Sequence, residues 1–264
     1  MSESSVDEGP RAEAPGERSG HASGPWVCAV AATTVVFGMA FVGLATASLD
    51  LYARAATGTL LVVGGVSFVL QRGLKLKAAS GRADARTLSL SAALGVSLAL
   101  FGVGALGTMS AVSPWAASRV ARASAHLYEL LRPDEPGMIP VVLLVVAVLP
   151  AVMEEWLFRG TMREALARKS EAYRVLVLGL LFGLIHAEPV HVLPLIYVGM
   201  VLTLLAERSG GMVAPMVAHF ALNATNGVVS PRIWSEPPGL LVSALLLSVG
   251  VTLSTFFVAR VARN

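Results

Sequence analysis

The sequence predicts an all-α membrane protein, a polytopic transmembrane helical bundle of about eight spans. Of its 264 residues, 55% are hydrophobic and only 14% are charged, whereas ordinary soluble domains are about 25% charged. The apolar residues are also clustered in long blocks, which is typical of a chain that crosses a bilayer several times. The single cysteine, Cys28, excludes a disulfide or cysteine-metal framework and is expected to be a small buried residue.

The first 25 residues are predicted to form a disordered polar tail. They are rich in Gly, Ser and Pro and carry charges of both signs. This mixture is unlike the positively charged start of a cleaved signal peptide, so the first apolar block is expected to stay as a membrane anchor.

Eight segments are apolar and long enough, some of them marginally, to form spans of about 20 residues. They are roughly 26–49, 55–71, 87–113, 137–157, 175–187, 190–206, 212–230 and 239–259. Two linkers, Ala116–Leu131 and Thr161–Arg174, are amphipathic and are expected to lie as interfacial helices. Besides the tail 1–25, the chain is thus divided into an N-terminal membrane region 26–136, a core 137–230 and a last part 231–264, which holds the eighth span and a short tail.

The Lys and Arg residues fall mainly in alternate loops. If the N-terminus is cytoplasmic, 15 of the 20 lie on the inner side and five on the other. Because basic loops stay in the cytoplasm, we expect an inner (cytoplasmic) membrane protein with both termini inside. The basic residues stand in short loops rather than in a basic helix, so the net charge of +3 does not indicate a nucleic-acid partner.

The fourth predicted span ends with two glutamates after an uncharged stretch. Glu155 and Arg159 are four residues apart on one helix face and are expected to form an ion pair. Glu154 points about 100° away from that pair and is expected to face the bundle interior. An unpaired carboxylate in a poorly solvated place suits a general base. The structural alternative is that both glutamates only mark the membrane boundary.

Two further polar motifs lie in later spans. His186 follows an apolar run, and Phe182 is four residues earlier, where it can pack against the imidazole or a substrate. His219 and Asn223 are also four residues apart and offer two hydrogen-bond donors on one face, as an oxyanion hole for acyl transfer requires. Alone, each motif could instead be a buried histidine or a polar contact between helices. Three costly polar sites on separate spans are better explained by one shared site.

In order and spacing, these residues resemble three motifs of the CPBP family, which comprises CAAX prenyl proteases and bacteriocin-processing or immunity enzymes. The motifs are Glu-Glu-x-x-x-Arg at 154–159, Phe-x-x-x-His at 182–186 and His-x-x-x-Asn at 219–223, and the resemblance covers about residues 137–230. It implies an intramembrane endopeptidase that opens toward the cytoplasm and cleaves a membrane-associated protein or peptide. It further implies that Glu154 and His186 activate water, that His219 and Asn223 stabilise the oxyanion, and that Glu155 and Arg159 hold the fourth span.

Several alternatives stay open from the sequence. Glu, His and Asn side chains can ligate zinc, but there is no His-Glu-x-x-His motif, so a glutamate-type mechanism without a cofactor is favoured over a zinc enzyme. The protein could also be a non-enzymatic bacteriocin-immunity or scaffold protein, or a proton-coupled transporter. For an enzyme, the substrate could carry a prenylated tail, a leader segment, or a C-terminal sorting tail with a hydrophobic helix and basic residues.

Overall fold

A computed structural model describes residues 24–76, 79–81, 83–131, 136–233 and 238–261. Helices and short turns account for these residues, and they contain no strand. The all-α prediction is therefore confirmed. Nearly all of the predicted polar tail, residues 1–23, lies outside the described residues, as does the end of the C-terminal tail, residues 262–264.

Nine helices form the bundle in the described part of the chain. They are α1 (Gly24–Ala45), α2 (51–74), α3 (Ala85–Val112), α4 (Pro114–Leu131), α5 (139–165), α6 (Glu171–Ile185), α7 (Pro189–Ser209), α8 (Val213–Ile233) and α9 (Leu240–Arg260). Within α2 the stretch Thr59–Gly64 is π-helical, and α5 contains two such stretches, Leu143–Val148 and Trp156–Met162. The predicted interfacial linker Ala116–Leu131 is thus a helix, α4.

Six of these helices, α1, α2, α3, α5, α7 and α9, are long and apolar enough to cross a membrane. The chain is therefore a multi-pass membrane protein. The other two predicted spans, α6 and α8, are also helices, but they are not among those long and apolar enough to cross a membrane. Helix α6 has 15 residues and is about 22 Å long, which is less than the bilayer core of about 30 Å. Helix α8 has 21 residues, but His219, Asn223 and Asn226 lower its hydropathy.

Helix α5 extends beyond the predicted fourth span and reaches Ala165. Arg159 belongs to this helix, whereas the sequence predicted it in a cytoplasmic loop. Its side chain is fully buried in the bundle, where Glu155 neutralises its charge. Glu154 consequently lies near the middle of α5, about 22 Å along the helix from Ile139 and about 16 Å from Ala165, whereas the sequence predicted it near the end of the fourth span. The predicted linker 161–174 is not a separate helix, since it contains the end of α5 and the start of α6.

Glycines let the helices around the site approach closely. Helices α6 and α7 form an antiparallel hairpin in which a Cβ atom on Gly183 would lie 2.7 Å from the carbonyl oxygen of Val192, and one on Gly199 would lie 3.0 Å from the Cα atom of Gly179. Helix α3 contacts α9 in the same way at Gly104. Such contacts are typical of membrane helices, where close van der Waals packing replaces the hydrophobic effect.

One end of the bundle carries most of the positive charge, and we call it the basic end. There the start of α1 packs on the end of α5, and the backbone N–H of Met212 donates to the carbonyl oxygen of Ser80. Arg174 forms an ion pair with Glu207, with 2.6 Å between Nη2 and Oε2, and this bond raises the pKa of the guanidinium. The basic residues of this end are Arg72, Lys75, Arg86, Arg163, Arg168, Lys169, Arg174, Arg208 and Arg260.

The opposite end of the bundle is covered partly by α4. This helix buries Ala116 and Val120 against Val190 at the start of α7. Arg119 of α4 also lies near Glu188 in the turn between α6 and α7, with 3.8 Å between Nη1 and Oε1. Helix α4 therefore rests on the tip of the α6–α7 hairpin.

Candidate active site

A cavity of about 390 Å³ lies inside the bundle, between α3, α4, α5, α6, α7 and α8. Glu154, His186, His219 and Asn223 all line it. The structure thus brings together residues of all three sequence motifs, although they are up to 69 positions apart in the chain. The end of the short α6 places His186 beside Glu154 in the middle of α5.

Glu154 and His186 face each other across part of this cavity. The Oε2 atom of Glu154 lies 4.0 Å from Nε2 of His186, and the two side chains are 15% and 32% exposed. The same Oε2 atom has no hydrogen-bond partner among the described residues. Nδ1 of His186 lies 2.8 Å from the carbonyl oxygen of Phe182. Since a carbonyl only accepts, Nδ1 donates this bond, and Nε2 is the ring nitrogen that faces Glu154.

Glu155 and Arg159 form a buried network that connects three helices. Arg159 donates through Nη1 to Oε1 of Glu155 at 2.8 Å and through Nη2 to the carbonyl oxygen of Gly199 on α7 at 2.7 Å. Oε1 of Glu155 also lies 2.8 Å from Nδ1 of His219 on α8. Both members of the ion pair are 0% exposed. Through these hydrogen bonds the pair links α5 to α7 and α8.

This network fixes the orientation of His219. An ionised carboxylate only accepts hydrogen bonds, so Nδ1 of His219 donates to Glu155 and Nε2 is left for other contacts. The residue is 3% exposed yet contributes to the cavity wall. Asn223, one helical turn further along α8, lines the same wall. The two polar side chains thus share one face of α8.

Phe182 lies at the centre of the site. Its ring centroid is 5.0 Å from that of His186 and 5.7 Å from that of His219, and the guanidinium carbon of Arg159 lies 4.9 Å from it. The side chain is 1% exposed, so it packs both histidines in place. Through its carbonyl oxygen it also orients His186.

The rest of the cavity wall is largely apolar, with aliphatic side chains from α3, α5, α7 and α8. Ser124 of α4 and Pro150 of α5 also line the cavity, although neither belongs to a sequence motif. Pro150 precedes Glu154 by one helical turn, and this spacing could have revealed it. His191 and Asn226 also line the wall. Glu188, three residues before His191, instead lies near Arg119.

A zinc site was an open alternative from the sequence. Catalytic zinc normally takes three protein ligands. Within the described ranges, no group of three or more His, Cys, Asp and Glu side chains lies close enough together to hold a metal ion.

Comparison with known protein families agrees with this site. Residues 136–225 match the family model described as Type II CAAX prenyl endopeptidase Rce1-like. This match confirms the family resemblance. The Rce1-like segment begins just before α5 and ends in α8, so it includes every motif residue. This segment of the chain is thus similar to CAAX-type endopeptidases. No curated protein and no solved structure matches the chain.

Proposed function

We propose that the protein is an intramembrane endopeptidase of the glutamate type, in which Glu154 and His186 activate a water molecule. The observation that carries this proposal is the 4.0 Å approach of Glu154 Oε2 to His186 Nε2 at the wall of an internal cavity. Both atoms accept hydrogen bonds, so one water molecule can donate to both at once. Such a water has its oxygen lone pair free for attack on a peptide carbonyl, and its proton passes to Glu154.

Hydrolysis of a peptide bond also requires stabilisation of the oxyanion. His219 and Asn223 lie on the same cavity and can donate to that oxygen, His219 through Nε2 when this atom is protonated. The bond from Nδ1 to Glu155 keeps the imidazole in a fixed orientation. Donors that are fixed before the reaction need no rearrangement in the transition state, which is the source of their effect.

The cavity favours an apolar segment of a membrane-associated polypeptide as the substrate. Aliphatic side chains such as Val103, Leu106 and Leu195 form much of its wall, and a peptide group that enters a site among apolar walls is separated from bulk water. Substrates with a C-terminal sorting tail or a leader segment fit this description because both carry an apolar stretch. Metal is not part of the proposed reaction.

The proposal is tested by comparing protein termini in membranes from cells that produce the wild type or Glu154→Gln. We expect a set of membrane proteins to keep an extra terminal segment in the variant, because glutamine cannot take the proton from water. Glu164→Gln, which changes a partly exposed glutamate at the basic end, is the matched control and should leave the termini unchanged. If Glu154→Gln is inserted normally and no terminus changes, the enzyme proposal is wrong and an immunity or scaffold role becomes the better explanation.

A further inference from the structure

The active-site cavity lies in one half of the bundle. Apart from Glu154 and His219, which lie slightly on the basic side of the middle, its lining residues in α3, α5, α6, α7 and α8 sit at or beyond the middle of the helix, counted from the basic end. Examples are Val103 and Leu106 in α3, Val146 and Pro150 in α5, and His191 and Leu195 in α7. The cavity therefore extends from the catalytic residues toward the end that is covered by α4.

Toward the basic end, the bundle is closed by side chains. Phe158, Arg159, Met162, Leu202 and Leu205 are all 0% exposed. These residues belong to the turns of α5 and α7 that lie between the motif residues and the basic loops. The residues that line the cavity include none of these five. Packed side chains thus separate the site from the basic end, and the cavity extends the other way.

The charge of the two ends gives the bundle a direction in the membrane. Nine Lys and Arg residues of the described helices and loops lie at the basic end, and four (Arg54, Arg119, Arg122 and Arg232) lie at the opposite end. The buried Arg159 belongs to neither. Short loops rich in Lys and Arg stay in the cytoplasm. The basic end is thus the cytoplasmic end, and this assignment agrees with that from the whole sequence.

We propose that the active site opens on the non-cytoplasmic face of the membrane and that its substrates are exported polypeptides with a membrane anchor, cut on that face. This orientation is the reverse of the cytoplasmic opening that the family resemblance implied. The identity of the substrates rests on the proposed peptidase function, whereas the orientation of the cavity does not. A substrate modified only on the cytoplasmic face, such as a prenylated tail, cannot reach a site with this opening.

Helix α4 is the part of the chain that an incoming substrate meets first. Ala123 and Ser124 of this helix form part of the cavity wall, and Arg119 lies 3.8 Å from Glu188 at the hairpin tip. The exposed Trp115 lies beneath the Arg119 guanidinium, 5.9 Å from its carbon atom. Aromatic and basic residues of this kind are typical of the membrane interface. Helix α4 therefore marks the non-cytoplasmic rim of the entrance.

Cysteine labelling in the full-length protein tests this orientation directly. The only native cysteine, Cys28, is buried, and Cys28→Ser gives a background without a reactive thiol. On this background, Ser124→Cys probes the cavity, Ser118→Cys probes the outer face of α4 and Ser170→Cys probes the turn before α6 at the basic end. Each variant is treated with a membrane-impermeant maleimide, first on intact spheroplasts and then after lysis, and modification is read from the shift in mass.

We expect Ser118→Cys and Ser124→Cys to be modified in intact spheroplasts and Ser170→Cys only after lysis. If Ser170→Cys reacts in intact spheroplasts, the assigned orientation is reversed and the proposal is overturned. If Ser118→Cys reacts there and Ser124→Cys does not, the cavity does not open on that face, and the proposal is equally wrong. Labelling does not depend on hydrolysis, so these outcomes are independent of the effect of Glu154→Gln.

The substrates provide a second measurement. Where processing depends on Glu154, the new terminus should lie on the non-cytoplasmic side of the membrane anchor of the substrate. Cut sites on the cytoplasmic side would disprove this assignment even if the proteolytic activity itself is confirmed.

Discussion

His219 and Glu155 share a buried hydrogen bond of 2.8 Å between Nδ1 and Oε1, although they belong to different helices. The same carboxylate accepts from Arg159 on its own helix. The adjacent Glu154 instead lines the cavity, where its Oε2 atom lies 4.0 Å from Nε2 of His186. Two neighbouring glutamates therefore have different surroundings, and we infer that one supports the site while the other reacts.

Replacing each glutamate by glutamine should separate these two tasks. Glu155→Gln leaves the buried guanidinium of Arg159 without its counter-charge, which typically costs about 3–5 kcal/mol, so we expect a clear fall in melting temperature in detergent. Glu154→Gln should leave the melting temperature nearly unchanged and abolish cleavage. Melting curves and cleavage of an identified substrate measure both effects. Equal losses of stability in the two variants would contradict the distinction.

The contact between α6 and α7 should be sensitive to a single methyl group. In Gly183→Ala the new Cβ atom would lie 2.7 Å from the Val192 carbonyl oxygen and 2.9 Å from the backbone nitrogen of Ile196. Overpacking of this kind costs about 1–3 kcal/mol. We expect a lower melting temperature and reduced cleavage, because His186 follows this contact directly. Gly43→Ala has no atom within 4 Å of its new Cβ and serves as the control, with no loss of either.

Filling the cavity should inhibit the enzyme without unfolding it. Gly102 lines the cavity, and a Cβ atom on it would meet no other atom within 4 Å. We therefore expect Gly102→Leu to reduce cleavage at least about 10-fold, since even one misplaced methylene group in a pocket changes rates by about 10–200-fold. Its melting temperature should match that of the wild type. Full activity in this variant would mean that the substrate does not occupy the cavity.

Removal of metal ions should not affect cleavage. The proposed water activation uses Glu154 and His186 alone, so the purified protein should cleave its substrate equally well before and after treatment with a chelator. Metal content is measured on the same samples. Loss of activity together with a stoichiometric metal ion, and its return when the ion is added back, would replace the glutamate mechanism by a metal-dependent one.

The start of α3 should show a defined acid dependence. Oδ1 of Asp84 accepts from the backbone N–H of Thr87 at 2.8 Å, and this bond lowers the pKa of the exposed carboxyl from its ordinary 3.8. A lowered pKa in the folded state means that the ionised group stabilises the fold fully above pH 3.8 and loses this effect as the pH falls through the lower value. The difference in melting temperature between wild type and Asp84→Ala should therefore shrink at acid pH. Asp84→Asn, which caps a helix without ionising, should show no such change relative to Asp84→Ala.

The sequence predicted the helical class, the approximate position of all eight apolar segments and the residues that meet at the cavity. These features follow from local composition and from the four-residue spacing of helix faces. The position of Glu154 within its helix was predicted wrongly, because the fourth span was expected to end near residue 157 and the helix continues to Ala165. Only the three-dimensional structure shows that Glu155 and Gly199 accept hydrogen bonds from the Arg159 guanidinium in the interior. The hydrogen bond between Glu155 and His219 and the contribution of Ser124 also depend on distant packing, which local patterns do not encode.

The position of Glu154 along α5 sets a length scale for the products. The distance of about 22 Å from Ile139 to Glu154 along the helix corresponds to about seven residues of extended chain at about 3.3 Å each. A polypeptide cut here would release its exported part with a remnant of about seven residues of its former anchor. The rest of that anchor would stay in the bilayer as a fragment too short to span it. Such a fragment must be extracted or degraded by a further peptidase if it is not to accumulate in the membrane.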